Sequence, residues 1–161
     1  MIKVASVQFN HAPGNKSANL NTIKVFCEQA SMEKVEVLVF PEMCITGYWH
    51  LRDFRRTQLE GLAEAVPEGP STQALIGLSK QHRLIFGAGL IEMAPDGKLY
   101  NSYVVVEPNG QVHCHRQLHC FINKHMSSGD EYTVFETKQG YKIGVLICYD
   151  NNIFENVRMT A

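Results

Sequence analysis

The stretch "IGVLICYDNN", Ile143 to Asn152, begins as a strand and ends as a turn. Ile143, Val145, Leu146 and Ile147 are apolar and largely β-branched, as a buried strand requires, whereas Asp150, Asn151 and Asn152 are turn formers. Cys148 stands between the two regimes. A free cysteine most often packs as a small hydrophobe, and it becomes reactive only where a neighbour adjusts its thiol pKa. The rest of the chain must supply that neighbour.

Working outward, "YTVFETKQGYKIGVLIC" reads as a hairpin around Lys138, Gln139 and Gly140, and "YNSYVVVEPNGQVHCHRQ" as another around Pro108, Asn109 and Gly110. The N-terminal half follows a different grammar. A strand over Ile2 to Phe9 is closed by the turn-rich "NHAPGN". Ser17 then caps a helix with Leu20, Ile23, Val25, Phe26 and Ala30 on its apolar face. Val35 to Phe40 is a short buried strand stopped by Pro41. Met43 to Gly69 reads as a long loop with one helical turn. Pro70, Ser71 and Thr72 open a second helix running through Lys80, and Leu84 to Met93 is again a strand. Strand–helix alternation followed by hairpins predicts an α/β fold with helices packed on a mixed sheet.

The apolar strand Val35 to Phe40 leads straight into Glu42. In an open sheet, ligands bind in the crevice at the carboxyl ends of parallel strands. With Val35–Phe40 and Tyr141–Ile147 side by side and parallel, Glu42 and Cys148 face each other in that crevice as general base and nucleophile. Read alone, Glu42 is a solvated loop carboxylate.

Composition narrows the classes. The 161 residues suit a single domain, and 45% apolar with 19% charged residues is ordinary for a soluble globular chain. A net charge of −1 offers no field for nucleic acid or an anionic membrane. No apolar run is long enough to span a bilayer, and Met1 enters a strand pattern without a signal segment, so a cytoplasmic location is expected. The five cysteines are irregularly spaced, which suits a reducing compartment rather than a disulfide framework.

Four motifs in order, "FPEMCITGY", "YNSYVVVEPNG", "HRQLH" and "VLICYDNNIFENVR", resemble those of the carbon–nitrogen hydrolase, or nitrilase, superfamily over nearly the whole chain. The resemblance implies an α-β-β-α sandwich and a catalytic set of Glu, Lys and Cys, often with a second Glu. It makes Glu42 the base and Cys148 the nucleophile, with the Tyr149 backbone N–H helping to bind an oxyanion. A nitrile or small carboxamide would be the substrate, with no metal or organic cofactor.

The sequence departs from that pattern twice. Gln117 stands where relatives have lysine, and Lys124, in "FINKH", stands where a second glutamate is expected. An amide gives neutral hydrogen bonds where an ammonium gives charge, and without the cation Glu42 raises the Cys148 pKa. Lys124 reaching back, or a disabled site, are the two consequences. The segment "NIFENVRMTA" starts a helix and has no cap, so residues 1–161 are expected to be the N-terminal portion of one such domain, truncated at the C-terminus. Open sheet edges then favour a homo-oligomer.

Three rival readings accompany this one. "HCHRQLHC" packs His113, Cys114, His115, His119 and Cys120 together, but without paired zinc spacing; on a strand His113 and His115 face one way and Cys114 the other. A redox-active thiol protein and a non-catalytic binding or assembly subunit are the others. Tyr48 and Trp49 either wall a substrate pocket or pack locally. Asn151 and Asn152 either contact substrate or cap the last helix.

Overall fold

The computed structural model describes residues 1–161. Its main sheet runs Val4–Ser6 (β1), Val37–Val39 (β2), Ile85–Met93 (β3), Leu99–Val106 (β4) and Val112–Arg116 (β5) in spatial order. Met126–Ser127 (β6) pairs with the part of β4 that β5 leaves free. The first three strands are parallel, and β4 is antiparallel to β3 and β5 but parallel to β6. Parallel neighbours need long crossovers. Lys16–Met32 (α1) links β1 to β2, while Arg56–Leu62 (α2) and Pro70–His82 (α3) lie between β2 and β3.

Each face of this sheet is covered differently. Ile23 and Cys27 of α1 and Leu75 of α3 pack on Leu38, Phe86, Ala88 and Val104. On the opposite face lies a second sheet, the antiparallel pair Thr133–Glu136 (β7) and Lys142–Val145 (β8). Its residues Phe135, Ile143 and Val145 pack against Val37, Ile85 and Val105. A last helix, Phe154–Thr160 (α4), lies against the outer side of β8, where a Cβ on Gly144 would come within 2.3 Å of Thr160 Cγ2. The layers are therefore helix, sheet, sheet, helix.

Three sequence expectations are corrected. β8 does not lie beside β2, whose neighbours are β1 and β3. Ile143 and Val145 face inward while Lys142 and Gly144 are exposed. That alternation belongs to a strand buried on one face, not to a parallel strand buried on both. The first helix is capped by Asn15, whose Oδ1 accepts from the Ala18 amide at 3.0 Å, and Ser17 lies inside it. The Met43–Gly69 segment holds α2 in addition to a 3-10 turn at Trp49–Asp53. The start of α2 lacks a short polar cap; Gln58 instead accepts from the Arg55 amide at 2.9 Å.

The segment after β2 lies directly on β3. The Ile45 amide donates to the Gly89 carbonyl at 3.0 Å, and a Cβ at position 89 would fall 2.2 Å from the Met43 nitrogen. No helix is long and apolar enough to cross a membrane. Gly89→Ala is expected to push Glu42 and Met43 off the sheet, lowering unfolding free energy by about 1–3 kcal/mol, the usual range for overpacking. Urea melts of the two proteins measure the loss.

Candidate active site

Two strand ends meet at one end of the space between the sheets. β2 stops at Val39, two residues before Pro41, and the chain turns through Glu42 and Met43; β8 stops at Val145, before Cys148. Met43 and Cys148 both occupy the left-handed region, at φ 48° and 49°. Side chains other than glycine rarely adopt it, so both turns are held by their surroundings. The Gly47 amide donates to the Met43 carbonyl at 2.7 Å, and the Asp150 amide to the Ile147 carbonyl at 3.0 Å. Across the gap, the Glu42 and Cys148 side chains lie near enough that each bears on the other's titration. Both line a cavity of about 330 Å³ walled by Val37, Val39, Tyr103, Val105, Ile143 and Val145.

Asp150 locks the Cys148 turn in place. It is completely buried, and its carboxylate accepts from the amides of Ile147 (3.2 Å), Leu118 (3.2 Å) and His119 (3.0 Å). His115 Nε2 lies 3.3 Å from Asp150 Oδ2, and its Nδ1 lies 3.1 Å from Thr133 Oγ1. One carboxylate thus ties the chain after β5 to the residue preceding Cys148. Burial acts to raise the Asp150 pKa, but the hydrogen bonds from His115 and the three amides outweigh it and hold the carboxyl below its ordinary value.

A chain of amides completes the surroundings. Asn101 Nδ2 donates to Glu42 Oε1 at 2.5 Å and to Gln117 Oε1 at 2.9 Å, and Gln117 Nε2 donates to the Ile147 carbonyl at 3.3 Å. Asn101 and Gln117 are both buried. No lysine or arginine contacts Glu42, Gln117 or Cys148. Arg116 points to the other face of the sheet, where its guanidinium grips Glu92 at 2.6 and 3.0 Å.

Electrostatics follow from this arrangement. Burial pushes the Glu42 carboxyl up, against the lowering effect of the hydrogen bonds from Asn101 and Cys148. Burial and then the Glu42 carboxylate push the Cys148 thiol up; the Tyr149 amide acts in the opposite direction. The thiol is therefore held in its protonated form.

The other sequence candidates are placed as follows. Tyr48 is half-buried beside the pair, and its hydroxyl is pushed up by burial and then by Glu42 and Cys148. Trp49 is exposed, stacked edge-on against Tyr48 with ring centroids 5.1 Å apart, and does not line the cavity. The Tyr149 ring is exposed and contacts Phe121. Asn151 Nδ2 donates to the Cys148 carbonyl at 3.1 Å, so it serves the turn. Lys124 is exposed in a separate groove with Arg52, Asp53 and Phe121, and does not reach back to Glu42. The His and Cys residues of "HCHRQLHC" diverge: His113 meets Glu107 at 2.9 Å and stacks on Phe135, His115 meets Asp150, and Cys114 faces Glu92. No three such side chains are grouped as a metal site needs. The sequence reading gave Asn101 a role in its strand and Asp150 a role in the turn, and neither a place in the site, although a polar residue inside the apolar run of β4 was a signal available there.

Two facing sheets between helical layers, with a carboxyl and a thiol in contact where they end, define an α-β-β-α sandwich with a thiol site. The chain belongs to the carbon–nitrogen hydrolase family, whose sequence pattern matches residues 3–161. It is 32% identical over 166 residues to a protein named nitrilase from Pyrococcus abyssi, covering 100% of this chain and 61% of the relative. It is also 32% identical over 179 residues to omega-amidase NIT3 of Saccharomyces cerevisiae, covering 99% and 59%. The crystal structure of Saccharomyces cerevisiae Nit3, described as a member of branch 10 of the nitrilase superfamily, superimposes with a TM-score of 0.83 at 31% identity, covering 99% of this chain and 61% of that one. The chain spans about three-fifths of the length of these relatives.

The raised Glu42 pKa has a consequence for stability. A carboxyl raised on folding favours the native state fully only below its unfolded pKa of about 4.3, and that contribution is lost as pH rises through the folded value. Glu42→Gln keeps an acceptor for Asn101 and removes the charge. It is expected to raise the melting temperature by a few degrees at pH 7 and to change it little near pH 4, as calorimetry at the two pH values will register.

Proposed function

We propose that this chain acts as a thiol-dependent carbon–nitrogen hydrolase on small carboxamides or nitriles, and that Gln117 makes it a slow one. The contact between Glu42 and Cys148 at the rim of an apolar cavity is the observation that supports this reading. Glu42 takes the thiol proton as Cys148 Sγ bonds to the amide carbon, and the Tyr149 N–H faces the resulting oxyanion. Glu42 returns the proton to nitrogen as the carbon–nitrogen bond breaks, releasing ammonia and leaving a thioester. Water, deprotonated by Glu42, then adds to the thioester, and the sulfur leaves as the thiol with that proton. A nitrile follows the same course after taking up one more water.

Gln117 is the reason for slowness. It donates to a neighbouring carbonyl and offers no charge to either the thiolate or the oxyanion. Losing one such stabilising group typically lowers the rate about a hundred- to a thousandfold. That same residue favours a second reading, a subunit that binds an amide without turning it over.

Mass spectrometry of the chain after incubation with small amides and nitriles separates the two. A covalent acyl adduct on Cys148, absent in Cys148→Ala, is the expected result; binding without any adduct supports the silent subunit instead. Gln117→Lys combined with Lys124→Glu is expected to speed adduct formation by about a hundredfold or more, as restoring the charge should.

A further inference from the structure

We infer that the site prefers amides or nitriles carrying an alkyl chain, which lies along the cavity between the two sheets with the reacting carbon at Cys148. The inference rests on the reading of Glu42 and Cys148 as the reacting pair.

Glu42 and Cys148 both line the cavity of about 330 Å³, at the end where the strands stop. From there it runs back between the sheets. One wall is β8 and the residues that follow it, with Ile143, Val145 and Ile147; the other is β2 and β4, with Val37, Val39 and Val105. At about 3.3 Å per extended residue, the wall from Ile143 to Ile147 is roughly 13 Å long. That is room for a chain of several carbons, and it leads directly to the sulfur.

The side chains of this slot select by polarity. Apart from Glu42 and Cys148, Tyr103 has the only polar side chain that lines it, and no cation does. The Tyr103 hydroxyl is already engaged: it lies 2.7 and 2.8 Å from the carbonyls of Phe40 and Gly87 and accepts from the Phe40 amide at 3.2 Å. Its ring lies across Gly87, where a Cβ would come within 2.3 Å of the ring carbon Cε1, so an aromatic surface fills the place of a side chain there. Beyond the reacting group, therefore, no side chain offers a free hydrogen bond or a charge. A carboxylate or ammonium placed there would lose its water and find no partner, which is costly, whereas each methylene buried there is favourable. The amide or nitrile group meets the polar end, and the hydrocarbon meets the rest.

Protection of Cys148 from iodoacetamide, located by peptide mass, tests this without turnover. Along acetamide, propionamide, butyramide, pentanamide and hexanamide, the concentration that halves the alkylation rate is expected to fall about fourfold per added methylene, as burial of one CH₂ gives. Acyl-adduct formation at subsaturating amide should rise by the same factor. Adipamic acid, in which a carboxylate replaces the terminal methyl of hexanamide, should lose that gain. Val39→Phe, which narrows the slot, should flatten the series. A half-protecting concentration that does not fall from acetamide to hexanamide with the unaltered chain overturns the inference, whether or not the variant folds. Adipamic acid protecting as well as hexanamide also overturns it. Adduct from acetamide with no trend along the series would leave the hydrolase reading intact and remove this one, whereas the trend in protection with no adduct from any amide would do the opposite.

Discussion

Ile143 and Val145 on one sheet press against Val37, Ile85 and Val105 on the other, and the meeting of Glu42 with Cys148 depends on that apolar contact. Sheets packed face to face stand about 10 Å apart, a gap that a glutamate and a cysteine projecting from opposing strand ends can close between them. Pro41 follows the end of one strand and the left-handed Cys148 follows the end of the other, so the Glu42 and Cys148 side chains are released into the same rim. Asp150 then fixes the second turn by gathering three backbone amides. Burying that carboxylate is tolerable because every amide it meets would otherwise be an unsatisfied donor.

Alternation along β5 decides the charge at this rim. His115 and, just past the strand, Gln117 face the second sheet, whereas Arg116 between them faces Glu92. Successive residues of a strand point to opposite faces, so a guanidinium one residue away in sequence contributes nothing to the site. Gln117 occupies the inward place and answers with dipoles. The result is a carboxylate and a thiol whose mutual repulsion on ionisation is relieved only by hydrogen bonds.

Much of this was legible in the residues. The turns at Pro108–Gly110 and Lys138–Gly140, the helix opened by Pro70 and the strand ends beside Glu42 and Cys148 follow from local chemistry, and the structure has them at those places. Strand partnership was not legible in the same way. Tyr141–Ile147 contains a consecutive apolar run, Val145 to Ile147, which reads as a doubly buried parallel strand. Yet β8 ends at Val145, and the exposed Lys142 and Gly144 mark it as covered on one side. Asn101 and Asp150 read only as a strand residue and a turn former because their value lies in partners 16 to 59 residues away, Gln117, Glu42 and the amides after β5. Trp49 looked like a pocket wall by proximity to Glu42, but the 3-10 turn at Trp49–Asp53 carries it outward.

The thiols of this chain differ in access, with Cys114 and Cys120 half-buried between two extremes. Cys27 and Cys44 are sealed in the core with pKa values pushed up to about 12, while Cys148 is open to solvent. Peroxide attack follows both access and the fraction of thiolate, and Cys148 offers the first but little of the second. A sulfur kept protonated is shielded from oxidants by its own weak acidity. The absence of a cation beside Gln117 thus also protects the thiol most exposed to chemical wear.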